Sequence, residues 1–170
     1  IYAGAQKNLG PAGATMVIIN KELLKKVKRN VPSMLSYKIH IEKDSSFNTP
    51  PVFSIYCILL NLRLIKKEGI DNISQNNKIK SELIYSEIDR NRCFSGFSEV
   101  SDRSQMNATF NMNKGFDSEL FNKICADYNI SGINGHRSVG GYRASIYNAL
   151  PLESLNILID AMKEFELSQE

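Results

Sequence analysis

The stretch VFSIYCILLNLRL, residues 52–64, is apolar on almost every side of a helical wheel. A helix with one apolar stripe can lie on a protein surface. One that is apolar nearly all round must be covered, so this helix is either deeply buried or lies at an interface. Its ends are legible too. Thr49 suits an N-cap, Pro50 the first helical position, and Gly69 follows the cationic Lys66 and Lys67. Upstream, Ala14–Asn20 (ATMVIIN) is a continuous, branched apolar run that reads as a buried strand, followed by a short lysine-rich helix around Lys21–Lys28. These pieces do not close a core by themselves. Residues 1–67 therefore read as the tail of a larger α/β domain.

From residue 68 to 170 the pattern changes. Asp71–Ile88 predicts a helix with Ile73, Ile79, Leu83, Ile84 and Ile88 on one side. Met106–Met112 predicts a strand, Asp117–Tyr128 an amphipathic helix, and Ile130–Ile133 and Tyr142–Tyr147 two short strands. A last helix opens at Pro151 and carries Leu152, Leu155, Leu158, Met162 and Phe165 at three- and four-residue steps. Such an order predicts a small α+β domain with helices on one face of a sheet.

Composition narrows the function. With 42% apolar and 23% charged residues, the 170-residue chain has the make-up of a globular protein. Its net charge of +3 is spread along the chain, with no basic block interleaved with aromatics, so no nucleic-acid partner is expected. Cys57, Cys93 and Cys125 are odd in number and far apart, which argues against a disulfide framework or a zinc site and for a reducing cytoplasm. No metal is expected. The longest apolar run, around Ile55–Leu60, is too short to cross a bilayer, so no membrane is expected either. No charged-then-apolar leader follows Ile1, which gives no sign of export.

Three stretches carry candidate chemistry. In IYAGAQKNLGPAG, Lys7 stands among Ala3, Gly4, Ala5, Gly10, Pro11, Ala12 and Gly13. An amine held before a buried strand, with small neighbours, lets a flat cofactor approach and can form a Schiff base with pyridoxal phosphate. The competing reading is a solvated surface lysine. In FNTPP, Asn48 and Thr49 add side-chain donors to a helix N-terminus, a natural seat for phosphate; plain capping is the alternative. In GHRSVGGYRASIYNALP, His136, Arg137 and Arg143 surround Gly140–Gly141, and arginine matches carboxylate or phosphate through paired hydrogen bonds. Solvated loop arginines are the rival there. His40 has no evident partner.

The order GAQKNLGPAG, FNTPP, MNATF, GHRSVGGYRASIYNALPLE resembles the C-terminal half of the phosphoserine aminotransferase family over essentially the whole chain. That family uses pyridoxal 5'-phosphate and has the aspartate-aminotransferase fold type. The resemblance implies the α/β fold class, with residues 1–67 the end of the large cofactor domain and 68–170 the small C-terminal domain. It implies that Lys7 is the Schiff-base lysine and that Gln6 contacts the cofactor phosphate. Asn48 and Thr49 would reach that phosphate across a homodimer interface. Arg143 would grip the substrate α-carboxylate, and His136 with Arg137 would receive the substrate phosphate from the neighbouring subunit. The implied reaction belongs to serine biosynthesis: an amino group moves between glutamate and 3-phosphohydroxypyruvate. Two departures stand out. Gln105 occupies a segment where relatives often have a second basic residue, though Arg103 remains, and Tyr142 replaces a frequent methionine. Two other readings stay open: a non-catalytic dimerising or binding fragment, and a related aminotransferase or desulfurase with another substrate.

Overall fold

Tandem prolines decide where the long helix begins. In the computed structural model, which describes residues 1–169, helix α3 spans Val52–Glu68, and the Pro51 carbonyl accepts from Ile55 N–H at 3.0 Å. The expected start at Thr49–Pro50 is two residues too early. A residue preceding proline is driven out of the helical region by the ring's Cδ, and both Thr49 and Pro50 precede one.

Internal packing divides the chain into two units, residues 1–67 and residues 68 onward. In the first, β1 (Tyr2–Gly4) pairs antiparallel with β2 (Thr15–Val17), placing Gly4 opposite Thr15. Helix α1 (Lys21–Leu24) is capped by the Asn20 side chain, which accepts from Glu22 N–H at 2.9 Å. It is shorter than expected. Continuation would stack Lys25 against Lys28 and Arg29, like charges one turn apart. Helix α2 (Tyr37–Glu42) lies in a stretch that carried no sequence signal.

Two segments expected to be buried are exposed within this unit. Strand β2 is exposed throughout, with Met16 at 50%: it pairs in a two-stranded ribbon over which no described residue is layered. Helix α3 has no buried residue, and Phe53 is 76% exposed. Its half-buried positions, Ser54, Cys57, Ile58, Asn61 and Ile65, form one stripe at helical spacing. Among the described residues nothing covers the apolar remainder of the helix.

The second unit holds the core. Helix α4 (Ile70–Arg90) leads to β3 (Phe94–Gly96), β4 (Asn107–Met112), α5 (Ser118–Asp127), β5 (Tyr142–Ser145) and α6 (Leu152–Leu167). The sheet is antiparallel in the order β3-β4-β5, with Thr109 opposite Arg143 and Phe110 opposite Tyr142. Phe94, Ala108, Phe110, Tyr142 and Ala144 are buried on one face. They meet Ile84 and Ile88 of α4, Phe121 of α5, and Leu155, Met162 and Phe165 of α6. Phe121 sits 4.9 Å from Phe94 and 5.3 Å from Phe165 between ring centroids. Burying one such ring is worth roughly 1.5–3 kcal/mol, so this cluster anchors the unit.

Sequence reading missed β3, whose three residues are too few to show a period. Residues 130–133 are not a strand. Asn129 and Gly132 adopt positive φ (57° and 71°), which breaks the ladder and leaves one bridge, Asn134 to Tyr142. On α4, Ile79 and Leu83 are exposed. The buried stripe instead runs Ile73, Asn77, Lys80, Ile84, Ile88. Lys80 is accommodated because its ammonium donates to the carbonyls of Ile146 (3.3 Å), Tyr147 (2.7 Å) and Leu150 (3.2 Å).

Candidate functional site

Lys7 sits on a tight turn between β1 and β2. Its backbone N–H and that of Gly10 both donate to the Ala5 carbonyl, at 2.7 and 2.8 Å, and Ala5 is 2% exposed. The turn is fastened to α3 from two points on the half-buried stripe. Asn61 donates to the carbonyls of Asn8 and Leu9, and Ser54 Oγ donates to Ala12 O at 2.8 Å. Gly13 (φ 122°) lies where a Cβ would stand 2.7 Å from Ser54 Oγ, so a larger residue would push the turn off the helix. The backbone around Lys7 is thus held firmly while Gln6 and Lys7 themselves remain exposed.

Asn48 and Thr49 belong to the same unit but stand ahead of α3. The Asn48 amide donates to Thr49 O at 3.3 Å, both residues are exposed, and Thr49 is not the helix cap expected from sequence.

The cationic residues of the second unit occupy a pinched loop. Gly135 N–H donates to Gly141 O at 2.8 Å, closing the loop at its base, and the His136 carbonyl accepts from Val139 and Gly140 at 2.9 and 2.8 Å. Gly141 (φ 63°) passes close to β4: a Cβ there would lie 2.8 Å from Phe110 O and collide with Asn111 Oδ1. Beyond the loop, Arg143 is set by β5, where its N–H donates to Ile133 O at 2.7 Å. Since Tyr142 and Ala144 turn to the core, Arg143 turns to the opposite, polar face.

His136 and Arg143 line one cavity of about 240 Å³. Arg137 does not line it; it stands at the exposed tip of the loop. Arg143 Nε is buried and has no hydrogen-bond partner among the described residues. Phe97, Ser98, Thr109 and Asn111 also line the cavity, together with edges of Phe110 and Tyr142 and the loop residues Gly135, Val139 and Gly140. Sequence reading passed over Thr109 and Asn111, although the alternation in NATFNM carried the signal. Ala108 and Phe110 face the core, so Asn107, Thr109 and Asn111 must face away.

Gln105 does not line this cavity, and Tyr142, which does, is uncharged. Tyr142 is 6% exposed and stacks on Phe110 at 5.4 Å, and burial raises its hydroxyl pKa, so it packs as core. Arg103 is already engaged. Its two terminal nitrogens bond both Asp89 oxygens at 2.6 and 2.7 Å, and its guanidinium lies 4.7 Å over the Tyr85 ring. Burial pushes the Cys125 thiol up to about 11 and also raises Cys93, which keeps both protonated and unreactive. No three or more His, Cys, Asp or Glu side chains gather as metal ligands among the described residues. No described helix is long and apolar enough to cross a membrane.

The profile of the family described as Aminotransferase class-V matches residues 1–158. A phosphoserine aminotransferase of Flavobacterium psychrophilum is 57% identical over 167 residues, covering 98% of this chain and 47% of that protein. One from Bacteroides thetaiotaomicron is 52% identical over 169 residues, covering 98% of this chain and 48% of the relative. Among solved structures, the phosphoserine aminotransferase of Bacillus circulans subsp. alkalophilus superposes with a TM-score of 0.93 at 41% identity, covering 99% of this chain and 47% of that one. The chain spans about half the length of the curated relatives it matches, and the match falls in their C-terminal portion. A pyridoxal-phosphate-bound phosphoserine aminotransferase from Trichomonas vaginalis also matches, with a TM-score of 0.88 at 36% identity over 95% of this chain and 47% of that one.

Proposed function

The chain belongs to the class-V aminotransferase family, and on that premise we propose that it forms part of a phosphoserine aminotransferase. In this reading the protein moves an amino group between glutamate and 3-phosphohydroxypyruvate, acts as a homodimer with shared active sites, and works in the cytoplasm. The observation that carries the reading is Arg143. A buried guanidinium nitrogen with no hydrogen-bond partner among the described residues, lining a cavity, suits an anionic group of a substrate.

The residues present fit pyridoxal phosphate. A primary amine stands exposed on a turn whose backbone is clamped, and glycine at position 4 leaves room for the Gln6 amide, onto which a Cβ would collide. Lys7 would hold the cofactor, with Gln6 donating to its phosphate and Asn48 and Thr49 serving the phosphate of the partner's site. When bound, the cofactor supplies an electrophilic aldehyde and an electron-withdrawing ring.

The chain's own residues would do the rest. Arg143 fixes the substrate α-carboxylate and so orients the Cα–H bond. The Lys7 ε-amine, once displaced by the substrate's amino group, would take the proton from Cα and return one at the opposite end of the reacting system. His136 and Arg137 serve the distal anion, which is a carboxylate in glutamate and a phosphate in the other substrate. Arg137 reaches out from the loop tip, consistent with service to a neighbouring subunit.

Borohydride reduction of the cofactor-loaded, full-length protein followed by peptide mapping tests the assignment. A pyridoxyl label on Lys7 is expected; a label on another lysine, or none, overturns it.

A further inference from the structure

We infer that Ser138 is a positioning residue that fixes the ring of His136 so that Nε2–H, and not a lone pair, faces the distal anion of the substrate. The inference rests on the proposed role of His136.

The His136 ring is held at one nitrogen. Ser138 Oγ lies 2.7 Å from Nδ1, and the Ser138 backbone N–H donates to the same nitrogen at 3.3 Å. A hydroxyl can donate or accept, so the first contact alone leaves the tautomer open. A backbone N–H can only donate. Nδ1 therefore accepts, and in the neutral ring the proton resides on Nε2. The hydroxyl then donates to Nδ1 as well. On the other side of the residue, the His136 carbonyl accepts from Val139 and Gly140, so backbone and ring are restrained together.

The chemistry of the substrates explains the value of this arrangement. A side-chain carboxylate and a phosphate present only acceptor oxygens when fully ionised. Nε2–H offers each of them a donor, whereas the other tautomer would turn a lone pair toward them. One fixed tautomer thus serves both half-reactions, and the ring does not need to rearrange between substrates.

The test uses the full-length enzyme with 15N-labelled histidine, recorded about two units above the ordinary imidazole pKa. His136 is assigned by loss of its signals in His136→Asn. The Nε2-protonated pattern is expected in the parent enzyme, and Ser138→Ala should show exchange between tautomers. Ser138→Ala should also raise KM for the phosphorylated substrate about three- to tenfold, the worth of one hydrogen bond, with kcat within about twofold. Ser138→Thr, which keeps the hydroxyl, should restore KM. An Nδ1-protonated parent, an unchanged KM in Ser138→Ala, or no rescue by threonine overturns the inference. An unchanged KM in His136→Ala overturns the role of His136 itself and takes this inference with it; the tautomer pattern distinguishes the two failures.

Discussion

The side-chain amide of Asn61 donates to the backbone carbonyl of Asn8 at 2.7 Å and reaches the next carbonyl, Leu9, at 3.1 Å. A residue on α3 thereby holds the turn that presents Lys7, although 53 positions separate Asn61 from Asn8. Replacing Asn61 with leucine keeps the volume and removes both donations. Unfolding in urea should show a loss of about 1–2 kcal/mol. Reductive labelling of Lys7 should fall in parallel, because the turn's position over the helix is relaxed.

Arg143→Lys tests the carboxylate clamp. Lysine keeps the charge but loses the two-pronged geometry. The expected result is a ten- to hundredfold fall in kcat/KM for glutamate, about 1.4–2.7 kcal/mol. Arg137→Ala should instead penalise the phosphorylated substrate far more than amino acids lacking a distal anion. Steady-state kinetics with both substrate types separates the two effects.

Lys80 is a buried cation satisfied by three carbonyls at the end of β5. Lys80→Met should destabilise the protein by about 1.5–3 kcal/mol, since those carbonyls lose a charged donor. Burial also lowers the Lys80 pKa from its ordinary 10.5, an effect opposed by Glu68. The unfolded chain then holds this proton more tightly, so the group's contribution to stability rises as pH climbs toward 10.5. Urea titrations at increasing alkaline pH should show a shallower rise in the methionine variant.

Asp89 gives a dependence of the same sign in the acid range. Hydrogen bonds from Arg103, the largest influence, hold its carboxyl below the ordinary 3.8. The native state therefore binds this proton less readily than the unfolded chain. Its stabilisation is present above about pH 4 and is lost as pH falls through the depressed value. Asp89→Asn should be less stable than the parent at neutral pH, and the gap should close in acid. Denaturation midpoints between neutral pH and about pH 3 would reveal the convergence.

The local code of this chain is strong wherever a period or a cap acts within a few residues. Helices α4, α5 and α6 were legible from apolar spacing, and Asp117 caps α5 by accepting from Glu119 and Leu120. The candidate residues were legible because lysine among glycines and His-Arg before a double glycine are chemically distinctive. Membership of the family was carried by those same motifs.

Burial and partnership were decided elsewhere. ATMVIIN has the composition of a buried strand, yet exposure depends on what lies over it, and in this unit nothing does. Lys80 breaks the apolar stripe of α4 because the carbonyls that neutralise it come from residues 66–70 positions away. Asn61 carried no signal in the sequence; only the approach of the lysine turn makes it a clamp. Sequence determines which conformations each segment prefers, since those preferences come from neighbours along the chain. Which groups are dry, paired or held in place depends on atoms brought together from distant positions, and that was settled by tertiary structure alone.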